Sequence, residues 1–277
     1  MSALAHLSGH IEKWRLTPDG EPFETRSSWL QFVQTGGKPA VLKVYKPNSD
    51  ETRGADILRH WGERAVRVYA ADEAAMVVER IVPGSPLSAS TAHDDDRATH
   101  IWCATVSGLH VAPAPKGWKT LFDCGRCYKR PYRDHLVLTR DHFERGKKVF
   151  FELCETQSAK QFLLHADLHH DNILNDRGRG WLVIDPKGYA GELEFETASF
   201  LHNPARDFRT AAVLERRARI LSDRLGLDHD RILRWCFAHG VLSALWNIED
   251  EVGDVDGGVE SANAAAEVLG WTINRKE

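Results

Sequence analysis

Three oxygen-bearing side chains close together in the sequence could hold a hard cation and move a proton: Asp167, Asn172 and Asp185. The stretch around them has a readable order. An apolar run, Phe162 to Leu164, leads into the polar loop His165-Ala166-Asp167-Leu168-His169-His170-Asp171-Asn172. A short apolar piece, Ile173-Leu174, leaves that loop, and the turn-forming cluster Asn175 to Gly180 follows. A second strand-like run, Trp181 to Ile184, ends in Asp185. This pattern predicts loop, hairpin and loop, with polar groups gathered at strand ends. The hairpin turns the chain back, so that Asp185 can lie beside Asn172. One carboxylate, one amide oxygen and substrate phosphates suit magnesium, which prefers oxygen ligands and retains several waters. A separate carboxylate, Asp167, could orient a substrate hydroxyl and accept its proton, as phosphoryl transfer requires.

The same residues carry a family resemblance. His165-Ala166-Asp167-Leu168-His169-His170-Asp171-Asn172, followed by Ile184-Asp185-Pro186-Lys187-Gly188, resembles the catalytic and metal loops of the aminoglycoside phosphotransferases. More narrowly it resembles the streptomycin 6-phosphotransferase and hydroxyurea-resistance kinase group. Protein kinases have Arg before the catalytic Asp and Lys two residues after it. Ala166 and His169 stand there instead, which favours a small-molecule kinase. Asp171 occupies a position where the family usually has Gly, adding a negative charge next to Asn172.

The resemblance implies an α+β, two-lobed protein-kinase-like fold: a β-rich N-lobe over residues 1–82 and a mainly helical C-lobe over 83–277. It implies ATP and Mg2+ as cofactors and a small cationic acceptor, streptomycin first. Asp167 would be the base, and Asn172 and Asp185 the metal ligands. Lys43 would touch the nucleotide phosphates, with Glu51 as its helix partner and Asp56 second. Backbone groups from Glu79 to Ile81 would meet adenine at the passage between lobes. Two rival readings are a kinase of the same fold acting on another small alcohol or amine-bearing metabolite, and a nucleotide-binding module without turnover.

The residues have plainer readings too. Histidines 165, 169 and 170 could bind zinc, but His-x-x-x-His-His lacks the Glu of a His-Glu-x-x-His helix. Asp and Asn singly are ordinary turn residues. Lys43, between apolar neighbours, could point to solvent from an alternating strand, although a charged head in a buried strand needs a partner. His165 reads as a brace for the loop.

Composition sets the wider frame. The chain has 277 residues, 42% hydrophobic and 27% charged, enough for two lobes and a substantial core. A net charge of -4 gives no general case for nucleic acid and is compatible with a cationic substrate. No apolar run is long enough to cross a bilayer, and no signal peptide is evident, so no membrane association is expected. The five cysteines, an odd number, suggest reduced thiols and a cytoplasmic protein. Cys124-Gly-Arg-Cys127 without a matching pair reads as structural thiols rather than zinc or redox chemistry.

The elements that position these residues follow from pattern. Ile11 to Leu16 alternates as a half-buried strand would, with a turn over Thr17 to Pro22 and a return strand from Phe23 to Val33. Ala40 to Tyr45 is a strand carrying Lys43. Asn48 to Glu51 starts a helix reaching Trp61, with Ser49 or Asp50 as cap. Val66 to Ala70 and Ala75 to Ile81 are further strands, and Pro83-Gly84-Ser85-Pro86 reads as a linker. Helices are expected from Asp94–Asp96 to His110, from Arg140 to Thr156, from Ala205 to Leu225, from Asp228 to Asp250, and from Gly258 to about Thr272. Residues 116–138 interleave aromatic and basic side chains, and read as a lid or a packed insertion. Gly188 to Glu192 reads as a flexible connection, and Leu193 to Leu201 as an apolar segment bearing Glu194 and Glu196.

Val241 to Glu260 contains six acids and no Lys or Arg. It is either a solvated acidic turn or a subsite that concentrates a cationic ligand. Trp246 and Asn247 precede Glu249 and Asp250 in a way similar to the streptomycin kinase group, so these two acids are the candidate substrate contacts.

Overall fold

The computed structural model describes residues 3–47, 49, 51–251 and 254–274. Its contacts divide the chain into two units: residues 1–86 with 172–188, and residues 87–171 with 189–277. A single cut after residue 82 differs from this division at one point above all. The hairpin bearing Asn172 and Asp185 goes with the N-terminal unit, although it is distant from it in sequence.

The first unit is an antiparallel sheet with helices. Helix α1 spans Ala3–Lys13 and is followed by β1 (Thr17–Pro18), β2 (Phe23–Glu24), β3 (Ser28–Thr35) and β4 (Lys38–Tyr45). After α2 (Gly54–Trp61) come β5 (Val68–Ala71), β6 (Ala75–Glu79) and β7 (Pro83–Pro86). The sheet order is β1-β3-β4-β6-β5, with β2 also on β3. Its core gathers Leu7, Leu16, Val33, Ala40, Leu42, Val44, Ala75 and Val77, with Ile11 and Trp14 packed against them.

Several sequence expectations are corrected here. Ile11 is not in a strand: Leu7, Ile11 and Trp14 recur at helical spacing, and that face outweighs the short alternation. The Phe23–Val33 run is broken where the Thr25 N–H bonds the Ser28 carbonyl at 2.8 Å, so β2 folds back on β3. The helix starts at Gly54, and Ser49 does not cap it; its Oγ instead accepts from the Glu51 N–H at 3.3 Å. The alternative cap, Asp50, lies outside the described residues. The Pro83–Pro86 segment is a strand, not a linker. It pairs antiparallel with Ile173–Asp176, where the missing proline N–H groups are tolerated at the sheet edge.

Helices dominate the second unit: α3 (Ser88–Thr91), α4 (Asp95–Leu109), α5 (Leu121–Cys124), α6 (Arg140–Glu155), α7 (Leu193–His202), α8 (Ala211–Leu225), α9 (His229–Glu249) and α10 (Val255–Val268). Side chains of Asp94, Thr139, Thr210, Asp228 and Asp254 cap five of them, each accepting from a first-turn N–H. Helix α9 is buried along most of its length, which explains its apolar stripe. It approaches α10 closely because Gly240 and Gly258 lack side chains. A Cβ on Gly240 would sit 2.6 Å from the Gly258 carbonyl oxygen.

Arg217 of α8 is fully buried. Its guanidinium donates to Asp95 of α4 at 2.6 Å and to the Asn203 carbonyl beyond α7 at 2.7 Å. Phe162–Leu164 pairs antiparallel with Tyr189–Gly191, so the supposed flexible connection after Gly188 is a strand. The five cysteines are buried free thiols. Among the described residues no helix is long and apolar enough to cross a membrane.

Candidate active site

In the first unit, strand β4 lies inside the sheet and places Lys43 between Leu30 on β3 and Met76 on β6. The lysine is 3% exposed, so its charge must be met within the protein. Its Nζ lies 2.7 Å from Asp185 Oδ1 and also pairs with the Glu51 carboxylate. Burial opposes the lysine's charge, but Asp185 and then Glu51 outweigh it and hold the ammonium above the usual lysine range. Lys43 therefore stays a cation.

Asp185 reaches this position from the hairpin formed by Ile173–Asp176 and Gly180–Val183. Val183 is opposite Ile173, and the Ile184 N–H donates to the Asn172 carbonyl at 3.0 Å. The structure thus sets Asn172 and Asp185 at neighbouring ends of one hairpin. Asp185 has φ +56°, a left-handed conformation seldom adopted by non-glycine residues. The amide and carboxylate oxygens are hard donors of the kind magnesium takes. Among the described residues there is no group of three or more His, Cys, Asp and Glu that could hold a metal ion.

Glu79 and Ile81 have different surroundings. The Glu79 N–H is already bonded to the Arg67 carbonyl at 2.8 Å, and its carboxylate pairs with Arg179. Ile81 has no backbone hydrogen-bond partner among the described residues. Of the two, Ile81 has the main-chain groups better suited to a nucleobase edge.

In the second unit, the loop around Asp167 is braced at successive residues. Ala166 has φ +62°, and the N–H groups of His165 and Ala166 both donate to the Glu196 carboxylate at 2.7 Å. Ser199 Oγ donates to Asp167 Oδ1 at 3.1 Å. The Trp102 indole N–H donates to the Leu168 carbonyl at 2.8 Å, and the His169 N–H to the Asp167 carbonyl at 2.8 Å. His170 stacks on Phe200 with ring centroids 4.3 Å apart. Burial, then Arg217 and His169, push its imidazole down to about 2, so it packs as a neutral ring.

Glu196 is the residue that the motif does not announce. It is 1% exposed, on α7. Burial acts to raise its carboxyl, but His110, His165 and the Ala166 N–H hold it below the usual range. Its sequence signal is an acid inside an apolar segment, which must have partners once buried. Ser199 and Trp102 carry no comparable signal.

At the end of α9, Glu249 Oε1 is 2.7 Å from Arg130, and Oε2 accepts from the Cys127 thiol at 3.1 Å. Burial and then Glu249 push that thiol up to about 12, so it remains a protonated donor. The Asp250 N–H bonds the Trp246 carbonyl at 3.0 Å, closing the helix.

A profile of the aminoglycoside/hydroxyurea antibiotic resistance kinase family matches residues 13–251. A streptomycin 3''-kinase from Klebsiella pneumoniae is 34% identical over 249 residues, covering 87% of this chain and 91% of the relative. A streptomycin 6-kinase from Streptomyces glaucescens is 29% identical, covering 89% and 83%. A hydroxyurea phosphotransferase from Kitasatospora aureofaciens is 29% identical, covering 87% and 72%. Among solved structures, aminoglycoside phosphotransferase APH(4)-Ia aligns with TM-score 0.69 at 17% identity, over 97% of this chain and 98% of that one. The choline kinase LicA from Streptococcus pneumoniae aligns with TM-score 0.66 at 18% identity, covering 95% and 98%. The fold is therefore α+β and protein-kinase-like. The chain belongs to the aminoglycoside/hydroxyurea antibiotic resistance kinase family and is a phosphotransferase.

Proposed function

We propose that this protein transfers the γ-phosphoryl group of ATP to a hydroxyl of streptomycin or a related aminoglycoside. The observation that carries the reading is Lys43, buried yet charged, paired with Asp185 on the hairpin that also carries Asn172. Asn172 and Asp185 would hold Mg2+, which when bound neutralises charge on the phosphates. Lys43 steadies the nucleotide phosphates, Glu51 orients Lys43, and the Ile81 backbone, with that of Glu79, meets adenine. Asp167 orients the acceptor hydroxyl and takes its proton as that oxygen bonds to the γ-phosphorus and the bond to ADP breaks. Positioning and charge stabilisation supply most of the rate. Glu249 and Asp250 offer negative charge to a cationic acceptor.

The test is a purified-protein assay of ADP release with Mg2+ across streptomycin, other aminoglycosides, hydroxyurea and amino alcohols. Mass detection of a phosphate adduct on streptomycin is the expected result, and the position of the adduct separates the 3'' from the 6 hydroxyl. A hydroxyurea adduct without a streptomycin adduct would replace this reading with a second one, which the hydroxyurea phosphotransferase relative favours.

A further inference from the structure

Asp171 is unused by the mechanism above, yet it is tied into the loop on two sides. Its carboxylate accepts from Ser88 Oγ at the start of α3, and its N–H donates to His169 Nδ1 at 3.2 Å. One residue earlier, the His170 carbonyl accepts from the Leu87 N–H at 3.1 Å. Residues 87–88 and 170–171 are thus joined by two hydrogen bonds, one main-chain and one side-chain. These are the last loop residues before Asn172, and 170–172 form one tight 3-10 turn. Glycine at position 171 could make neither the carboxylate contact nor the associated restriction of backbone freedom.

We propose that Asp171 is a positioning residue: through Ser88 it fixes the 170–172 turn and so the direction in which Asn172 presents its amide. The Ser88 hydroxyl aims the Asp171 carboxylate without neutralising it. A carboxylate contact of this kind is stronger than a neutral one and more directional. The inference rests on the reading of Asn172 as a metal ligand for its consequence, but not for the contact itself.

The experiment compares Asp171→Ala, Asp171→Asn, Ser88→Ala and the Asp171→Ala/Ser88→Ala double variant. Amide hydrogen exchange across residues 168–174 is read on each protein without added nucleotide or metal. Mn2+ binding in the presence of a non-hydrolysable ATP analogue is then read by electron paramagnetic resonance. Asp171→Ala should accelerate exchange at 170–172 by roughly tenfold, the factor equivalent to loss of one charge-assisted hydrogen bond. It should weaken Mn2+ binding several-fold. Ser88→Ala should reproduce both changes, and the double variant should add nothing. Asp171→Asn keeps an acceptor oxygen without charge and should recover part of both changes, falling between Asp171→Ala and wild type. If Asp171→Asn is as impaired as Asp171→Ala in Mn2+ binding while exchange is unchanged, the charge acts directly on the ligand and the proposal is overturned. Unchanged exchange in both Asp171→Ala and Ser88→Ala overturns it as well. Should Asp171→Ala fail to fold, Ser88→Ala alone decides the exchange outcome. Faster exchange without any change in Mn2+ binding would leave the brace standing and count against Asn172 as a ligand.

Discussion

Lys43 is bracketed by two carboxylates, with Asp185 Oδ1 2.7 Å from its Nζ and Glu51 paired from the other side. The strand, the segment before α2 and the hairpin are thereby joined through one ammonium group. A lone charge this deeply buried would be strongly destabilising, and the two acids remove that cost while holding the lysine in place.

Lys43→Met should leave Glu51 and Asp185 facing one another without a cation. The thermal midpoint should fall, and kcat/KM for the nucleotide should drop roughly a hundredfold, about 2.7 kcal/mol. Lys43→Arg should not recover it, because a planar fork does not occupy the place of a compact ammonium. Steady-state kinetics with the nucleotide varied, alongside thermal denaturation, check both parts.

Asp167 accepts from Ser199 Oγ at 3.1 Å, which aims the carboxylate without neutralising it. Under the proposed role, Asp167→Asn should lower kcat by about 10²–10⁴. Nucleotide affinity measured by calorimetry should stay close to wild type. Ser199→Ala removes only the aim and should cost roughly tenfold or less, within the worth of one hydrogen bond to a charged group. Retention of full kcat in Asp167→Asn would remove the proposed base.

The two kinds of residue in this site differ in how visible they are before folding. Asn172 and Asp185 flank one hairpin, so their spacing and the turn cluster between them reveal that hairpin, while Asp167 is picked out by its motif. Lys43 and Glu51 are visible through strand alternation and resemblance. Ser88 acts from another element through a tertiary contact that leaves no local pattern, and the apolar segment around Glu196 shows that this acid needs partners but not which ones. The N-terminal helix was hidden for a related reason. Its short polar-apolar alternation fits either period, and only the packing of Leu7, Ile11 and Trp14 on the sheet decides between them. Pro83–Pro86 has turn composition yet forms an edge strand, because pairing with Ile173–Asp176 is a long-range contact.

Glu249 and Asp250 share a helix end but not a setting. Glu249 is already paired with Arg130 and bonded by Cys127. If both acids attract the cationic acceptor, Glu249→Gln and Asp250→Asn should each raise acceptor KM by about two- to fivefold, fading as salt rises. Glu249→Gln should also lower the thermal midpoint, because Cys127 and Arg130 lose a charged partner. A fall in midpoint with unchanged acceptor KM in both variants would assign these acids to structure alone.

Glu196 gives the most demanding prediction, since it holds the loop without touching any reactant in the proposed mechanism. Its carboxylate takes two N–H groups at 2.7 Å, one from Ala166 in the left-handed region. That conformation costs about 1–2 kcal/mol in a residue with a Cβ, so it needs the acceptor. Glu196→Gln puts an NH2 donor against one of the N–H groups and should destabilise the protein by about 1–3 kcal/mol, the cost of a buried unsatisfied donor. The pH dependence has a definite sign. The folded carboxyl lies below its ordinary value near 4.5, because His110 and the loop donors outweigh the burial that would raise it. The unfolded chain therefore takes up the proton first as pH falls. Glu196 contributes its stability in full above pH 4.5 and loses it progressively as pH drops from there through the folded value. Acid unfolding of the wild type should accordingly steepen below pH 4.5. Glu196→Gln should start less stable at pH 7 and show a shallower decline over that window. Parallel acid-unfolding curves, with the same gap between wild type and variant at pH 7 and at pH 3, would mean that the carboxylate is not what restrains the Asp167 loop.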